Sequence, residues 1–269
     1  MAKRVRAKPL FSLGERTGFV AFAAAVLLGM VDLRLATVPL TLFLMLCAVA
    51  PFIPGAGFFF PVVSRGRTGK AVVALTFDDG PDPATTPRLL DLLDRYRLPA
   101  TFFVTGRRVV RYPELVRMIV SRGHTVGNHS FHHNRYRMFW NPKLLSREIA
   151  DTQKALSELG VVPLTFRPPV GITTPAMANV LARQRLTTVN FSCRAFDRGN
   201  RRINGLAERI LSRIRADDIV LLHDAGVVDP ARVDRWLVEM QTLLEGIGRK
   251  DLTAVSLSRL IGRPVMRRG

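Results

Sequence analysis

Two adjacent carboxylates, Asp78 and Asp79, end an apolar run at residues 71–77 and are followed at once by Gly80 and Pro81. The run reads as a strand buried on both faces, and such a strand can end in charge only where the charge reaches a cavity, a metal or solvent. Further along, residues 129–133 read His-Ser-Phe-His-His, in a chain with 5 histidines altogether. The spacing from His129 to His133 brings two imidazoles together on one helical turn or tight loop. One carboxylate would complete a three-ligand metal centre with a position left open for water. Two histidines at that spacing are common on helix surfaces. Beside an Asp-Asp-Gly turn at a strand end they point to metal-assisted hydrolysis, with the second carboxylate as a base.

Those side chains need elements that hold them at one end of a sheet. Beyond residue 70, short apolar runs alternate with helical patterns, which predicts βα units and an α/β fold. Strands are expected over 71–77, 100–104, 124–127, 163–167, 187–192, 218–223 and 253–256, with helices between most of them. Thr85, Thr86 and Pro87 supply a helix start, and Leu89, Leu90, Leu92, Leu93 and Tyr96 then share one apolar face. Leu144, Ile149, Leu156 and Leu159 do the same in the next long helix. About seven such units in some 200 residues predict an incomplete (β/α)7 barrel, a fold whose chemistry gathers at the carboxyl ends of the strands. Asp78, Asp79, Arg167 and His223 each fall at or just past such an end. His124 and His132 are expected to be bystanders, and Asp224 is read either as tuning His223 or as capping a loop.

At these positions the sequence resembles the polysaccharide deacetylases, the NodB-type domain of carbohydrate esterase family 4. Residues 76–80 are similar to the first motif of that family, 129–133 to the second, 167–171 to the third and 221–223 to the fifth, in the family's order. The resemblance implies a distorted barrel and a divalent metal, most often Zn2+ with Co2+, Ni2+ or Mn2+ as other occupants, used to hydrolyse N-acyl groups of amino sugars. It implies Asp79, His129 and His133 as metal ligands, Asp78 as general base, His223 as general acid, and Pro169, Val170 and Leu221 against the substrate. The chemistry agrees: a metal with three protein ligands lowers the pKa of bound water towards ~7, and an amide nitrogen must be protonated to leave. A backbone N–H near Val170 would help hold the oxyanion, and Arg167 would keep Asp78 ionised and oriented. Asp79 as a turn cap and Arg167 as a structural ion pair are the plain alternatives.

The fourth motif departs from the family. Where Asp-x-x-Asp-Trp is usual, residues 194–198 read Arg-Ala-Phe-Asp-Arg. Asp197 is expected to support the catalytic groups from behind, and the aromatic wall on which sugars pack is lost. A basic cluster, Arg194, Arg198, Arg201 and Arg202, stands in its place. It is either a solvated loop or, through Arg198 and Arg201, a binding site for an anionic substrate such as a lipid-phosphate-linked sugar.

The rest of the chain concerns placement. Of the formal charge of +19, residues 1–70 hold 9 basic and 2 acidic side chains and residues 71–269 hold 31 and 19. Such a field favours anionic partners, and membrane lipids are the expected ones; no zinc-finger spacing or aromatic-rich RNA signature supports a nucleic acid. Residues 18–31 and 35–53 read as two apolar helices of a membrane hairpin within 18–55, after a basic segment, 1–17, and before a linker, 56–69; the catalytic domain is expected over 70–269. Lys3, Arg4, Arg6, Lys8 and Arg16 before the hairpin and Arg65, Arg67 and Lys70 after it would put both ends, and the domain, on the cytoplasmic side of a bacterial inner membrane. A single span would put the domain outside, where cell-wall polysaccharide is the substrate. Two rivals of other classes are a non-haem iron oxygenase, which has no use for Asp78, Arg167 and His223, and an inactive sugar-binding module, which would have lost part of the set.

Overall fold

The computed structural model describes residues 11–134, 138, 141–227 and 229–269, so Lys3, Arg4, Arg6 and Lys8 lie outside the described residues. Helices α1 (Leu13–Gly29) and α2 (Leu33–Val49) pack against each other as a hairpin. A capping box between Ser12 and Glu15 starts α1 ahead of the apolar stretch expected from residue 18. Asp32 separates the two helices and caps α2 by accepting the Arg34 N–H. The second helix passes into a 3-10 turn, Ala50–Phe52, where the sequence pattern predicted one helix to residue 53. Among the described residues Leu33–Phe52 is the one segment long and apolar enough to cross a membrane, and the 17 residues of α1 sit at the lower limit for a span. Hardly any of the hairpin's apolar surface is covered by protein: α2 has no buried residue, and Phe19, Phe22, Leu27, Leu42 and Leu44 are exposed.

The stretch expected as a linker, 56–69, is built into the catalytic fold. Strand β1 (Val62–Val63) pairs in parallel with the segment Thr187–Val189, Phe58 and Phe60 are buried, and the Gly66 N–H donates to the Asp217 carbonyl at 2.7 Å. The hairpin is joined to the same body at both ends. The Gly14 N–H donates to the Phe58 carbonyl (2.7 Å) and the Thr173 N–H to the Pro51 carbonyl (3.1 Å). Asn190 Nδ2 donates to the carbonyls of Pro54 (2.7 Å) and Gly171 (3.0 Å).

Strands β2 (Val72–Asp78), β3 (Ala100–Val104), β4 (Thr125–Asn128), β5 (Val161–Pro163), β6 (Thr165–Phe166), β7 (Thr187–Val189), β8 (Cys193–Arg194), β9 (Ile219–His223), β10 (Thr253–Ala254) and β11 (Met266–Arg268) follow. Between them run α3 (Thr86–Tyr96), α4 (Gly106–Arg111), α5 (Pro113–Ser121), α6 (Pro142–Ser157), α7 (Pro175–Arg183), α8 (Leu206–Leu211), α9 (Pro230–Arg249) and α10 (Leu257–Ile261). The main sheet is parallel in the order β1-β7-β6-β4-β3-β2-β9-β8, with β10 beside β2, and forms the half-barrel of an incomplete (β/α)7 fold. The strand expected over 163–167 is two pieces. Only β6 joins the main sheet, while β5 pairs antiparallel with β11.

Strand parity then decides what faces inward. On β2, Val73, Leu75 and Phe77 pack into the helix-side core, so Ala74, Thr76 and Asp78 point into the half-barrel. On β9, Val220 and Leu222 pack outward while Ile219, Leu221 and His223 point inward, and Asp78 lies opposite His223 in the register. The last inward residue of each strand is therefore the one with chemistry.

Candidate active site

Arg167, 0 % exposed, lies at the centre of the arrangement. It follows β6 directly, and its guanidinium crosses the barrel interior 4.0 Å from the centroid of the Phe103 ring. Nη1 donates to Asp78 Oδ1 (2.6 Å) and Thr76 Oγ1 (2.8 Å), Nε to the Val189 carbonyl (3.1 Å) and Nη2 to the Asn190 carbonyl (3.1 Å). A buried guanidinium is tolerated when its charge is paired and its donors are used, and here both hold. Asp78 is thus fixed through one oxygen, while Oδ2 lies 3.7 Å from His129 Nε2. The main chain of Arg167 positions that histidine too: its carbonyl lies 2.8 Å from His129 Nδ1. A carbonyl can only accept, so Nδ1 carries the proton and a neutral ring presents its Nε2 lone pair to the cluster.

Asp79, His129 and His133 face one another, with ligating atoms all within 4.8 Å. Asp79 Oδ1 is 3.5 Å from His129 Nε2 and 3.2 Å from His133 Nε2. Asp79 and His133 both have left-handed backbone, φ 73° and 57°, which turns their side chains toward the shared centre. Glu148 on α6 holds the histidine turn, accepting the N–H groups of Phe131 (3.0 Å) and His132 (2.7 Å) and bonding the His132 ring at 2.7 Å. Glycine is required at position 80, because a Cβ there would stand 2.1 Å from Asp224 Oδ1.

The donor set fits a divalent cation. Asp79 Oδ1 is buried and has no hydrogen-bond partner among the described residues, a costly state that a cation would relieve. Burial opposes the charge on Asp79, yet His129, His223 and His133 together hold its carboxyl well below the usual carboxylate range. Burial also opposes a proton on His129, but Asp78 and Asp79 outweigh it and raise its affinity, whereas burial and the charge on His129 push His133 down to about 4. The cluster thus draws positive charge inward. Two imidazoles and one carboxylate suit Zn2+ and its first-row neighbours.

His223 stands opposite, with Nδ1 2.8 Å from Asp197 Oδ2. Asp197 also accepts the Asn200 N–H (3.1 Å), and Asn200 Nδ2 donates to the carbonyls of His223 (2.8 Å) and Ala225 (3.0 Å). Burial disfavours the charged ring, but the Asp197 bond and the charges of Asp197, Asp79 and Asp78 lift His223 to about 9. With Nδ1 engaged by Asp197, Nε2 is the nitrogen available for proton transfer. A cavity of about 180 Å³ opens beside Asp79 and His133, walled by Thr105, Arg107, Arg108, Gly199, Ala225 and Gly226.

The substrate-side residues are dispersed. Val170, φ 53° and 40 % exposed, and buried Pro169 follow Arg167 in a 3-10 turn. Leu221 is buried in the inward cluster with Phe103, Val189 and Phe191, below His223. The arginine cluster divides. Arg194 stacks on Phe196 at 4.2 Å, Arg198 is exposed, and Arg201 and Arg202 line a separate cavity containing none of the site residues. Asp224 does not touch His223 with its side chain; its carboxylate takes the Thr86 hydroxyl at 2.7 Å and pins the turn after Gly80. His124 accepts the Ala100 N–H at 3.2 Å, a structural role. Sequence reasoning missed Thr76, Glu148, Asn190 and Asn200. Only Thr76, two positions before Asp78 on the same strand face, carries a local signal.

The profile of the polysaccharide deacetylase family matches residues 65–189. A peptidoglycan-N-acetylglucosamine deacetylase of Bacillus cereus is 38% identical over 159 residues, 58% of this chain and 74% of that protein. The chain belongs to the polysaccharide deacetylase family. It is similar over a greater length to a chitooligosaccharide deacetylase of Sinorhizobium fredii, 32% identical over 208 residues, 76% of this chain and 90% of the relative. The crystal structure of a peptidoglycan N-acetylglucosamine deacetylase shares the fold with a TM-score of 0.70 at 26% identity, covering 77% of this chain and 95% of that one. Like others of its kind, this polysaccharide deacetylase is a hydrolase of non-peptide carbon–nitrogen bonds. In it, the one aspartate left in the fourth motif, Asp197, is the partner of His223.

Proposed function

We propose that the protein removes an N-acyl group, acetyl or formyl, from an amino sugar carried on a lipid, with α1 and α2 anchoring it in the inner membrane and the catalytic domain on the cytoplasmic side. The observation that carries the chemical part is the convergence of two differently partnered groups, Asp78 on Arg167 and His223 on Asp197, at one three-ligand cluster. Asp79, His129 and His133 would hold the metal, which when bound supplies an electrophile that acidifies water and polarises an acyl carbonyl. Asp78, oriented by Arg167, takes a proton from the attacking water. A backbone N–H near Val170 would help hold the oxygen on which charge develops. His223, charged and aimed by Asp197, gives its proton to the sugar nitrogen as the carbon–nitrogen bond breaks, so that free amine and carboxylic acid result.

The membrane part draws on the join between hairpin and domain. Pro51 and Pro54, just past α2, contact the segment 168–173 and Asn190, which in turn backs Arg167. A cavity of about 390 Å³, lined by Pro54, Phe191, Phe196, Arg194 and Arg213, lies at the same place and mixes apolar and cationic surface, as a glycolipid would require. The side of the membrane is inferred from the basic residues flanking the hairpin.

A second reading, an enzyme acting on cell-wall polysaccharide, is favoured by the Bacillus cereus relative, a peptidoglycan-N-acetylglucosamine deacetylase. Mass spectrometry of membrane glycolipids with and without the active protein separates them. A lipid that loses the mass of an acetyl or formyl group in exchange for hydrogen supports the first. Amine release from peptidoglycan or chitin oligomers with lipids unchanged replaces it with the second. Release that survives either a chelator or Asp78→Asn sinks the mechanism. A reporter fused to the C-terminus checks the side.

A further inference from the structure

The loop that carries Asp197 and Asn200 also walls a second cavity, of about 450 Å³, lined by Arg201, Arg202, Arg209, Arg232 and Arg235 with Ile203 and Asn204. No acidic side chain lines it, and none of the five arginines joins an ion pair among the described residues. Two of them are fixed in place by main-chain carbonyls. Arg209 donates to Ala195 (2.8 Å), Asn204 (2.7 Å) and Arg202 (2.7 Å), and Arg232 donates to Asn200 (3.0 Å). Arg201, Arg202 and Arg235 come from the loop and from the first turns of α9 and are brought to the same hollow only by the fold.

Five like charges around one concavity repel, and a concave wall focuses their field where salt screens it least. Such a cluster is stabilised by an anion whose several oxygens can engage more than one guanidinium at once. Guanidinium forks match the tetrahedral oxygens of phosphate and bind them through charge-assisted pairs. Among the described residues no aromatic side chain lines the cavity, so these offer no stacking surface for nucleobases. We propose that this cavity is a phosphate-binding site, taking a phosphate monoester or diester beside the loop that carries Asp197 and Asn200. The volume exceeds that of a bare phosphate and leaves room for the group attached to it.

The proposal stands apart from the deacylase reading, because binding is measured without turnover. Calorimetry on the full chain in detergent, in chloride buffer, is run with inorganic phosphate and with glycerophosphoglycerol, a soluble diester of the kind found in lipid headgroups. Saturable binding is expected, weakened at least about tenfold in the double variant Arg202→Gln/Arg235→Gln, as the loss of two charge-assisted contacts requires. Arg202→Lys/Arg235→Lys keeps the charge without the fork and is expected to bind at an intermediate level. Tighter binding of the diester assigns the site to a lipid headgroup or lipid-linked sugar, and tighter binding of inorganic phosphate to a free or terminal phosphate. Absence of saturable binding below about 10 mM for both probes, or binding that persists unchanged in the glutamine variant, overturns the proposal. Amine release from an uncharged N-acetylated oligomer, assayed in parallel, reports on the deacylase reading by itself.

Discussion

The reaction centre and the arginine cavity share one loop and treat charge in opposite ways. In the centre, Arg167 is matched by buried Asp78 and half-buried His223 by buried Asp197. In the cavity, five guanidiniums face one space with no acid among its lining residues. Paired charge is a way of holding a proton donor and acceptor still until the reaction calls on them. Unpaired charge in a hollow is a demand for something from outside. A charge removed from the first region should therefore cost activity and stability, and a charge removed from the second at Arg235 should not.

The largest effect is expected at Asp78. Asp78→Asn removes the base and should lower kcat by about 10²–10⁴-fold in an amine-release assay, with metal content unchanged by atomic absorption; a fall of less than about tenfold would remove Asp78 from its role. Next is Arg167→Met, which strands a buried carboxylate and should destabilise the fold by about 3–5 kcal/mol in urea denaturation. Arg167→Lys should rescue little of this, because one ammonium cannot reach the four acceptors that the fork serves.

A smaller, pH-resolved effect belongs to His223. Its proton affinity is raised from 6.5 to about 9, so the acid form persists through neutrality and activity should fall as pH rises toward that value. A cation on Asp79 cancels part of the lift and moves this limb down, and Asp197→Asn should move it further, toward 6.5. The same sign holds for stability: the metal-free protein gains from His223 fully below 6.5 and loses that gain as pH rises through about 9, visible as a falling Tm. An alkaline limb that Asp197→Asn leaves in place would separate His223 from the proton transfer. The smallest effect, and the sharpest contrast, is Arg235→Gln. At low salt it should raise Tm by about a degree, and the gain should vanish at high salt as screening removes the repulsion. A lower Tm instead would mean that the cavity's charges are compensated after all.

Much of the centre is legible in the sequence because its residues sit where short-range rules act. Asp78 and Asp79 end a strand, His129 and His133 share a turn, and Arg167 and His223 mark two more strand ends, so parity and the parallel order suffice to bring them together. Strand β3 is found over the residues expected, and β2 and β4 are displaced by one. What lies outside such rules is held by contacts between distant segments. Asn200 acts through two main-chain carbonyls, Glu148 reaches back from a helix to the histidine turn, and β1 gains its strand character only from β7. The arginine cavity joins neighbours in sequence, Arg201 and Arg202, to Arg232 and Arg235 from another element, so that a local charge run conceals a site whose other half is elsewhere.

The join between hairpin and domain leaves almost no slack. A chain that passes from helix to 3-10 turn to two anchored carbonyls and then into a strand has few torsions left to vary. A catalytic domain on a loose tether samples many attitudes and waits for a productive one, whereas this one is tied to the hairpin by hydrogen bonds at both of its ends, which narrows that range. Part of the entropy of aiming is thus met during folding, before any substrate arrives.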